Sequence, residues 1–107
     1  PPDVGETLVQ VLVAVFSAEL LPESLKLCTE LRNSGLHCEL YYGTKPLGAQ
    51  IRYALKKGIP LLAILGPDEL ESGQVMARDL RRKAQVQVAR SELVSLLREW
   101  LSEEDAD

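Results

Sequence analysis

Polar and charged side chains follow two candidate strands of the sequence, and a chemical role could rest on them. Thr44 and Lys45 follow the segment 37–42, and three acids follow the segment 61–65. The acids are Asp68, Glu69 and Glu71. Neighbouring carboxylates can act as general acid and base. On a short turn they are more often solvated loop charges, so the sequence does not favour catalysis there.

The residue patterns of several enzyme and metal-binding classes are missing. The chain has no Gly-x-Gly-x-x-Gly or Walker loop to hold a dinucleotide or a triphosphate. Its one histidine, His37, cannot complete a tetrahedral zinc site with Cys28 and Cys38, nor a Ser/His/Asp set. We therefore predict no catalytic residue and no metal ligand, and we expect Cys28 to be a small buried hydrophobic residue.

Apolar periodicity predicts three strands joined by two helices. The predicted strands cover residues 8–16, 37–42 and 61–65. One helix begins at Pro22 and ends before Gly35, with its apolar stripe formed by Leu21, Leu25, Cys28 and Leu31. The second helix runs from Leu47 to Gly58, with Leu47, Ile51, Ala54 and Leu55 inward and Gln50, Arg52, Lys56 and Lys57 outward. Crossovers of this length join parallel strands, which predicts a right-handed βαβαβ core.

The last third of the sequence predicts a hairpin and a closing helix. Residues 75–80 and 84–88 are too close together for a crossover and must pair antiparallel. Ser91 can begin a helix that turns Trp100 toward the core. The predicted fold class is α/β, a five-stranded mixed sheet with a parallel βαβαβ core, an antiparallel hairpin and three helices. We predict a linker at 1–6, one domain at 7–101 and an acidic tail at 102–107.

Charge is distributed unevenly along the chain. The net charge is -4, but the stretch 45–90 holds nine basic and four acidic residues, whereas the last nine residues hold five acids. The run 81–83, Arg-Arg-Lys, either keeps a hairpin tip soluble or contacts phosphate. We expect a soluble cytosolic protein without a signal peptide or membrane span, because its apolar runs are short and its cysteines few.

Three segments carry a resemblance to a known family. Residues 45–54 read KPLGAQIRYA, residues 58–60 read GIP and residues 65–75 read LGPDELESGQV. Their content and order resemble the anticodon-binding domain of class IIa aminoacyl-tRNA synthetases and are most similar to the histidyl branch. The resemblance covers about residues 9–101. The family fold, a five-stranded mixed sheet with three helices, agrees with the elements predicted above.

The resemblance implies that anticodon bases are splayed out and read where the parallel strands end. By motif position the implied readers are Thr44, Lys45, Arg52, Glu69 and Arg78. Tyr41 or Tyr42 could stack on a base. The carboxylate can accept from a base amino group, and the guanidinium groups can donate in pairs. This sequence departs from the family pattern at Pro67 and in the hairpin turn 80–84, which lacks glycine.

For the whole protein, the resemblance implies a histidine–tRNA ligase that charges tRNA-His as a homodimer. ATP and Mg would then bind in a catalytic domain of the same chain, and this part would need no cofactor. Two alternatives stay open. One is a synthetase-like regulatory module that senses tRNA, and the other is an α/β domain that binds a small molecule.

Overall fold

The computed structural model describes residues 8–104. The predicted linker 1–6 and the residues 105–107 of the predicted tail lie outside the described residues. Five strands form one sheet in the order β2-β1-β3-β4-β5. They are β1 (Val11–Ala14), β2 (Cys38–Leu40), β3 (Leu61–Ile64), β4 (Gln74–Asp79) and β5 (Ala84–Ala89).

The strand pairing confirms the predicted mixed sheet. β1 lies between β2 and β3 and is parallel to both, so that Val11 is opposite Cys38 on one side and Leu61 on the other. β4 runs antiparallel to β3 and pairs with β5 as a hairpin. The hairpin turn has no glycine because Lys83 takes the left-handed conformation, with φ 56°.

Four helices within residues 8–104 surround the sheet, one more than the sequence predicts. They are α1 (Leu21–Asn33), α2 (Leu47–Lys57), α3 (Pro67–Ser72) and α4 (Leu93–Glu104). Short 3-10 turns at Ala18–Leu20 and Arg90–Glu92 precede α1 and α4. The additional helix, α3, occupies the segment that we predict as a turn, and α4 includes the start of the predicted tail. Among the described residues, no helix is long and apolar enough to cross a membrane.

The helices cover both faces of the sheet. Leu27 and Leu31 of α1 pack with Leu93 and Leu97 of α4 against one face. The residues of α2 pack with Ile59 and alternate strand residues against the other face. Trp100 packs at the border of the first core, as predicted.

Two predicted helix faces are rotated in the structure. In α1, Ser24 and Leu27 are buried, whereas Leu21 and Leu25 are 41% and 44% exposed. Cys28 and Leu31 are buried as predicted. The rest of the buried face of α1 is formed by Ser24 and Leu27 rather than by Leu21 and Leu25. In α2 the prediction was wrong for Leu55, which is exposed, and for Gln50, which is buried.

A buried carboxylate explains the basic run at the hairpin turn. Asp79 is fully buried and accepts hydrogen bonds from the backbone N–H and side chain of Arg81 and from the side chain of Arg82. Arg81 also donates to the Trp100 carbonyl of α4 at 3.0 Å. The first two residues of the run therefore bind the chain itself, whereas Lys83 lines a groove with Leu55 of α2 and Arg78 of β4.

The two cysteines lie together in the core. Cys28 Sγ is 3.3 Å from Cys38 Sγ, and both residues are buried, as expected for Cys28. The hydrogen bond between the two thiols is the largest influence on Cys28 and lowers the pKa of its thiol. The described residues contain no group of three or more His, Cys, Asp or Glu that could hold a metal ion.

Candidate nucleic-acid interface

An open cleft of about 300 Å³ lies at the carboxyl ends of β1 and β2. Its lining includes Phe16, Ser17 and Leu21 from the β1–α1 connection and Tyr42, Thr44 and Lys45 from the β2–α2 connection. Apolar surface dominates, with hydroxyl groups and one ammonium group at the rim. This is the edge at which ligands bind in open α/β sheets.

Aromatic rings stand on both walls of the cleft. Tyr42 is 75% exposed and Phe16 is 50% exposed. Tyr41 is held edge-on against Tyr53, with ring centroids 5.4 Å apart and an interplanar angle of 83°. Of the two tyrosines that the sequence offers for stacking, Tyr42 has the accessible ring and Tyr41 shapes the floor. The sequence analysis does not identify Phe16 as a stacking residue, because it predicts Phe16 as the last residue of a strand.

Tyr53 is itself fixed by a carboxylate. Its hydroxyl group donates to Glu39, 3.2 Å from each carboxylate oxygen. Burial is the largest effect on the pKa of Tyr53, and the charge of Glu39 adds to it; both raise the pKa. The phenol therefore stays protonated and keeps Tyr41 in place through the ring contact.

Gly43 lets the chain turn back over Tyr41. Its φ is +149°, and an added Cβ atom would lie 3.1 Å from the Tyr41 ring. Both the backbone conformation and the close approach of the ring favour glycine. The wall that carries Thr44 and Lys45 depends on this turn.

A buried amide joins the two walls of the cleft. Gln50, in the first turns of α2, is 1% exposed. Its Oε1 accepts from Val15 N at 2.8 Å, and its Nε2 donates to Val15 O at 2.8 Å and to Lys45 O at 2.9 Å. The sequence predicts an outward Gln50 because of its polarity. Helical spacing from Leu47 and Ala54 would have placed it inward.

Glu69 lies beside the cleft, on α3. Its Oε1 accepts from Gly66 N at 3.0 Å, and its Oε2 accepts from the Gln87 side chain. An added Cβ atom on Gly66 would lie 3.5 Å from the Phe16 ring, so the segment before α3 reaches the cleft wall. Both carboxylate oxygens of Glu69 thus already have partners within the chain.

The two predicted arginines lie away from the cleft. Arg52 is exposed on the outer surface of α2. Arg78 is on β4, opposite Leu62, in a groove of about 260 Å³ between α2 and β4. The structure therefore brings Thr44, Lys45 and the two tyrosines together, places Glu69 near Phe16 through its bond to Gly66 and leaves both arginines outside.

Eleven of the twelve basic side chains fall into two groups according to the sheet face. Six donate to acceptors of the chain: Lys26, Arg32, Arg81, Arg82, Arg90 and Arg98. Lys57 lies 5.8 Å from the centre of the Tyr53 ring. The remaining five have no hydrogen bond or ion pair with any described residue: Lys45, Arg52, Lys56, Arg78 and Lys83. All five lie on α2, on the loop that leads into it, or in the groove beside it.

The chain is similar in sequence to histidine–tRNA ligases of several organisms. Histidine–tRNA ligase, cytoplasmic, of Takifugu rubripes is 40% identical over 97 residues, which are 90% of this chain and 19% of that protein. Histidine–tRNA ligase of Stenotrophomonas maltophilia is 39% identical over 89 residues, 83% of this chain and 19% of its own length. The chain thus spans about a fifth of the curated relatives it matches.

Solved structures show the same fold. The crystal structure of histidyl-tRNA synthetase from Nostoc sp. PCC 7120 matches with a TM-score of 0.87 and 34% identity, covering 89% of this chain and 23% of that one. The RNA binding domain of threonyl-tRNA synthetase from Cryptosporidium parvum matches with a TM-score of 0.80 at 16% identity, covering 87% of this chain and 24% of that one, which supports the fold alone.

A family model described as "Anticodon binding domain" matches residues 10–100, most of the chain. The chain therefore belongs to the anticodon-binding domain family, within which it is similar to histidine–tRNA ligases.

Proposed function

We propose that this chain binds the anticodon loop of tRNA-His and holds an unstacked base in the cleft at the ends of β1 and β2. The observation that carries the proposal is the pair of exposed rings, Phe16 and Tyr42, on opposite connections of one open cleft. Proteins recognise RNA loops by stacking splayed bases on aromatic side chains and by bonding to the base edges.

The chemistry of the rim suits this ligand. The Thr44 hydroxyl group can both donate to and accept from a base edge. Lys45 carries an unpaired ammonium group on the same loop and can neutralise a phosphate of the bound strand. Arg52, on the outer surface of α2, is placed for a phosphate contact rather than for a base in the cleft. Glu69 could bind a base edge only if its carboxylate released the Gly66 N–H or the Gln87 side chain.

We further propose that the chain is part of a histidine–tRNA ligase. The names of its relatives and the fifth of their length that it spans support this proposal. ATP, Mg and histidine would then bind in a catalytic domain of the same protein, and the chain alone would not form histidyl-adenylate. A homodimer in the cytoplasm is the expected state of that whole protein.

Binding of a labelled anticodon stem-loop at several salt concentrations tests the proposal. We expect log Kd to change linearly with log salt and the Lys45→Ala variant to flatten that slope by about one unit. Lys26→Ala is the matched control, because Lys26 is paired with Glu23 on α1. A chain without measurable affinity for the stem-loop, or with salt-independent binding, would overturn the proposal and favour a small-molecule ligand.

A further inference from the structure

We propose that Cys28 and Cys38 are a site of reversible oxidation, at which a small hydroperoxide converts the two thiols into a disulfide that joins α1 to β2. The site lies outside the cleft described above, so the inference goes beyond the proposed function and does not depend on it. The sequence has two cysteines in all, so each has a single possible partner within the chain.

The two thiols already face each other where α1 packs on β2. Cys28 lies in the middle of α1, and Cys38 is the first residue of β2. Their sulfur atoms are 3.3 Å apart, within hydrogen-bonding distance for sulfur. A disulfide bond is about 2 Å long, so the two sulfur atoms need to approach each other by roughly 1 Å. The fold therefore holds the pair close to the arrangement of the oxidised product.

The surroundings of the pair favour a thiolate at Cys28. The hydrogen bond between the two thiols has the largest effect on the pKa of Cys28 and lowers it, whereas burial raises it. The same hydrogen bond raises the pKa of Cys38, so that the pair shares one proton after the first ionisation. Thiolates rather than thiols react with peroxides. The first oxidation step is therefore expected at Cys28.

Arg32 supplies a positive charge beside the two thiols. It lies one helical turn after Cys28 on α1, and its Nε donates to the Cys38 carbonyl at 2.9 Å. The charge of Arg32 lowers the pKa of both cysteines. A nearby cation is typical of reactive cysteines, whereas inert cysteines are buried among apolar groups alone.

The position of the pair at the edge of the sheet gives a small oxidant access. β2 is the outer strand of the sheet and has three residues. Cys28 is fully buried and Cys38 is 7% exposed, so the reaction requires a local opening of β2. A short element with few contacts opens at a lower free energy than the central strands do. Hydrogen peroxide needs a smaller opening than a bulky disulfide reagent.

The peroxide accepts the two electrons that the thiols lose. The Cys28 thiolate attacks one peroxide oxygen, the O–O bond breaks, hydroxide leaves, and Cys28 becomes a sulfenic acid. The Cys38 sulfur then attacks the Cys28 sulfur, the S–O bond breaks, and water leaves with the proton of Cys38. Together with the proton released by Cys28, one peroxide becomes two water molecules. A thiol reductant reverses the reaction by thiol–disulfide exchange, as the cytosol would.

The intact mass of the chain after treatment with hydrogen peroxide tests the proposal. We expect the monomer to lose two hydrogen atoms, both cysteines to resist alkylation, and a thiol reductant to restore both thiols. Cys28→Ala and Cys38→Ala are the matched controls, because each leaves one thiol without a partner. Each variant should gain oxygen atoms or cross-link two chains instead. An unmodified chain that keeps two free thiols, gains oxygen atoms or forms only cross-linked dimers would overturn the proposal.

A second measurement, on the unmodified chain alone, asks whether the fold favours the disulfide. The chain is equilibrated in glutathione buffers of several oxidation ratios, once folded and once unfolded in urea. A disulfide that fits the fold stabilises it, and by linkage the fold stabilises the disulfide to the same extent. We expect the equilibrium constant for disulfide formation to be larger in the folded chain, on the order of tenfold. An equal or smaller constant in the folded chain would overturn the proposal and leave the two cysteines as core residues.

Discussion

The side-chain amide of Gln50 pairs with both backbone groups of Val15, accepting from its N–H and donating to its carbonyl at 2.8 Å each. β2 ends at Leu40, so Val15 has no partner strand on that side. The two hydrogen bonds of the amide replace those that a further residue of β2 would form with Val15. Its second N–H reaches Lys45 O and fixes the β2–α2 loop to the end of β1.

The first prediction is that Gln50→Leu destabilises the chain and weakens stem-loop binding. Leucine fills the space but leaves the buried Val15 N–H and carbonyl unpaired, and each such group costs about 1–3 kcal/mol. Urea unfolding should show a loss of about 2–4 kcal/mol. Gln85→Leu, at an exposed position of β5, is the control and should stay within about 0.5 kcal/mol. Equal stability of the two variants would show that the hydrogen bonds of Gln50 to Val15 do not stabilise the fold.

The second prediction concerns Asp79. Burial, the largest single effect, raises its pKa, but the hydrogen bonds from Arg81 and Arg82 together lower the pKa below 3.8. A carboxyl group with a depressed folded-state pKa stabilises the fold above its unfolded pKa, and this contribution is lost as the pH falls below about 4 toward the folded pKa.

Asp79→Asn should therefore cost about 2–3 kcal/mol at pH 7 and show a flatter decline of stability between pH 4 and pH 2. Chemical unfolding at a series of pH values measures both effects. If the stability of the variant falls with pH as steeply as that of the unmodified chain, the acid sensitivity arises from other carboxylates.

The third prediction concerns Glu69. The sequence predicts it on a turn, where its side chain would contribute little to stability. Because its carboxylate accepts from Gly66 N at the start of α3, Glu69→Ala should lower stability by about 1 kcal/mol. Gln87→Ala keeps that bond and should cost less. If Glu69 also reads a base, Glu69→Gln should reduce discrimination between anticodons by about 1–3 kcal/mol. Unchanged discrimination would leave Glu69 a structural residue only.

The fourth prediction separates stacking from folding. Phe16→Ala and Tyr42→Ala should each weaken binding of the anticodon stem-loop by about 1–3 kcal/mol, since each removes one stacking surface. Because both rings are largely exposed, thermal unfolding should change little. Leu25→Ala, at an exposed apolar residue of α1, is the control. The prediction fails if all three variants bind RNA equally well.

The fold could be predicted from the sequence because the residues that end helices and form buried strands follow clear local patterns. Gly58 adopts φ 78° at the end of α2, and two buried strands are apolar at every residue. The short α3 was missed because one capping carboxylate and one αL glycine stabilise it rather than an apolar stripe.

The site was less predictable because it depends on tertiary contacts. The turn residues Thr44 and Lys45 followed from strand order, as parallel strands end at one edge. Helical spacing places Gln50 inward, but its hydrogen bonds to Val15 and the exposure of Phe16 follow from how β1 meets α2 and α3, which no periodicity encodes. The family resemblance also includes Arg78 in the same site, although the strand register places it near the end of β4 that lies away from the cleft.

The most direct test of the account is an NMR titration of the isotope-labelled chain with the histidine anticodon stem-loop. We predict that amide resonances of residues 16–18 and 41–45 shift in proportion to bound RNA, with smaller changes along the outer surface of α2. The amides around Glu30 and Arg90, on the opposite face, should stay in place, and a loop with a substituted anticodon should bind more weakly. Shifts concentrated on the α1–α4 face, or equal affinity for both loops, would contradict the account.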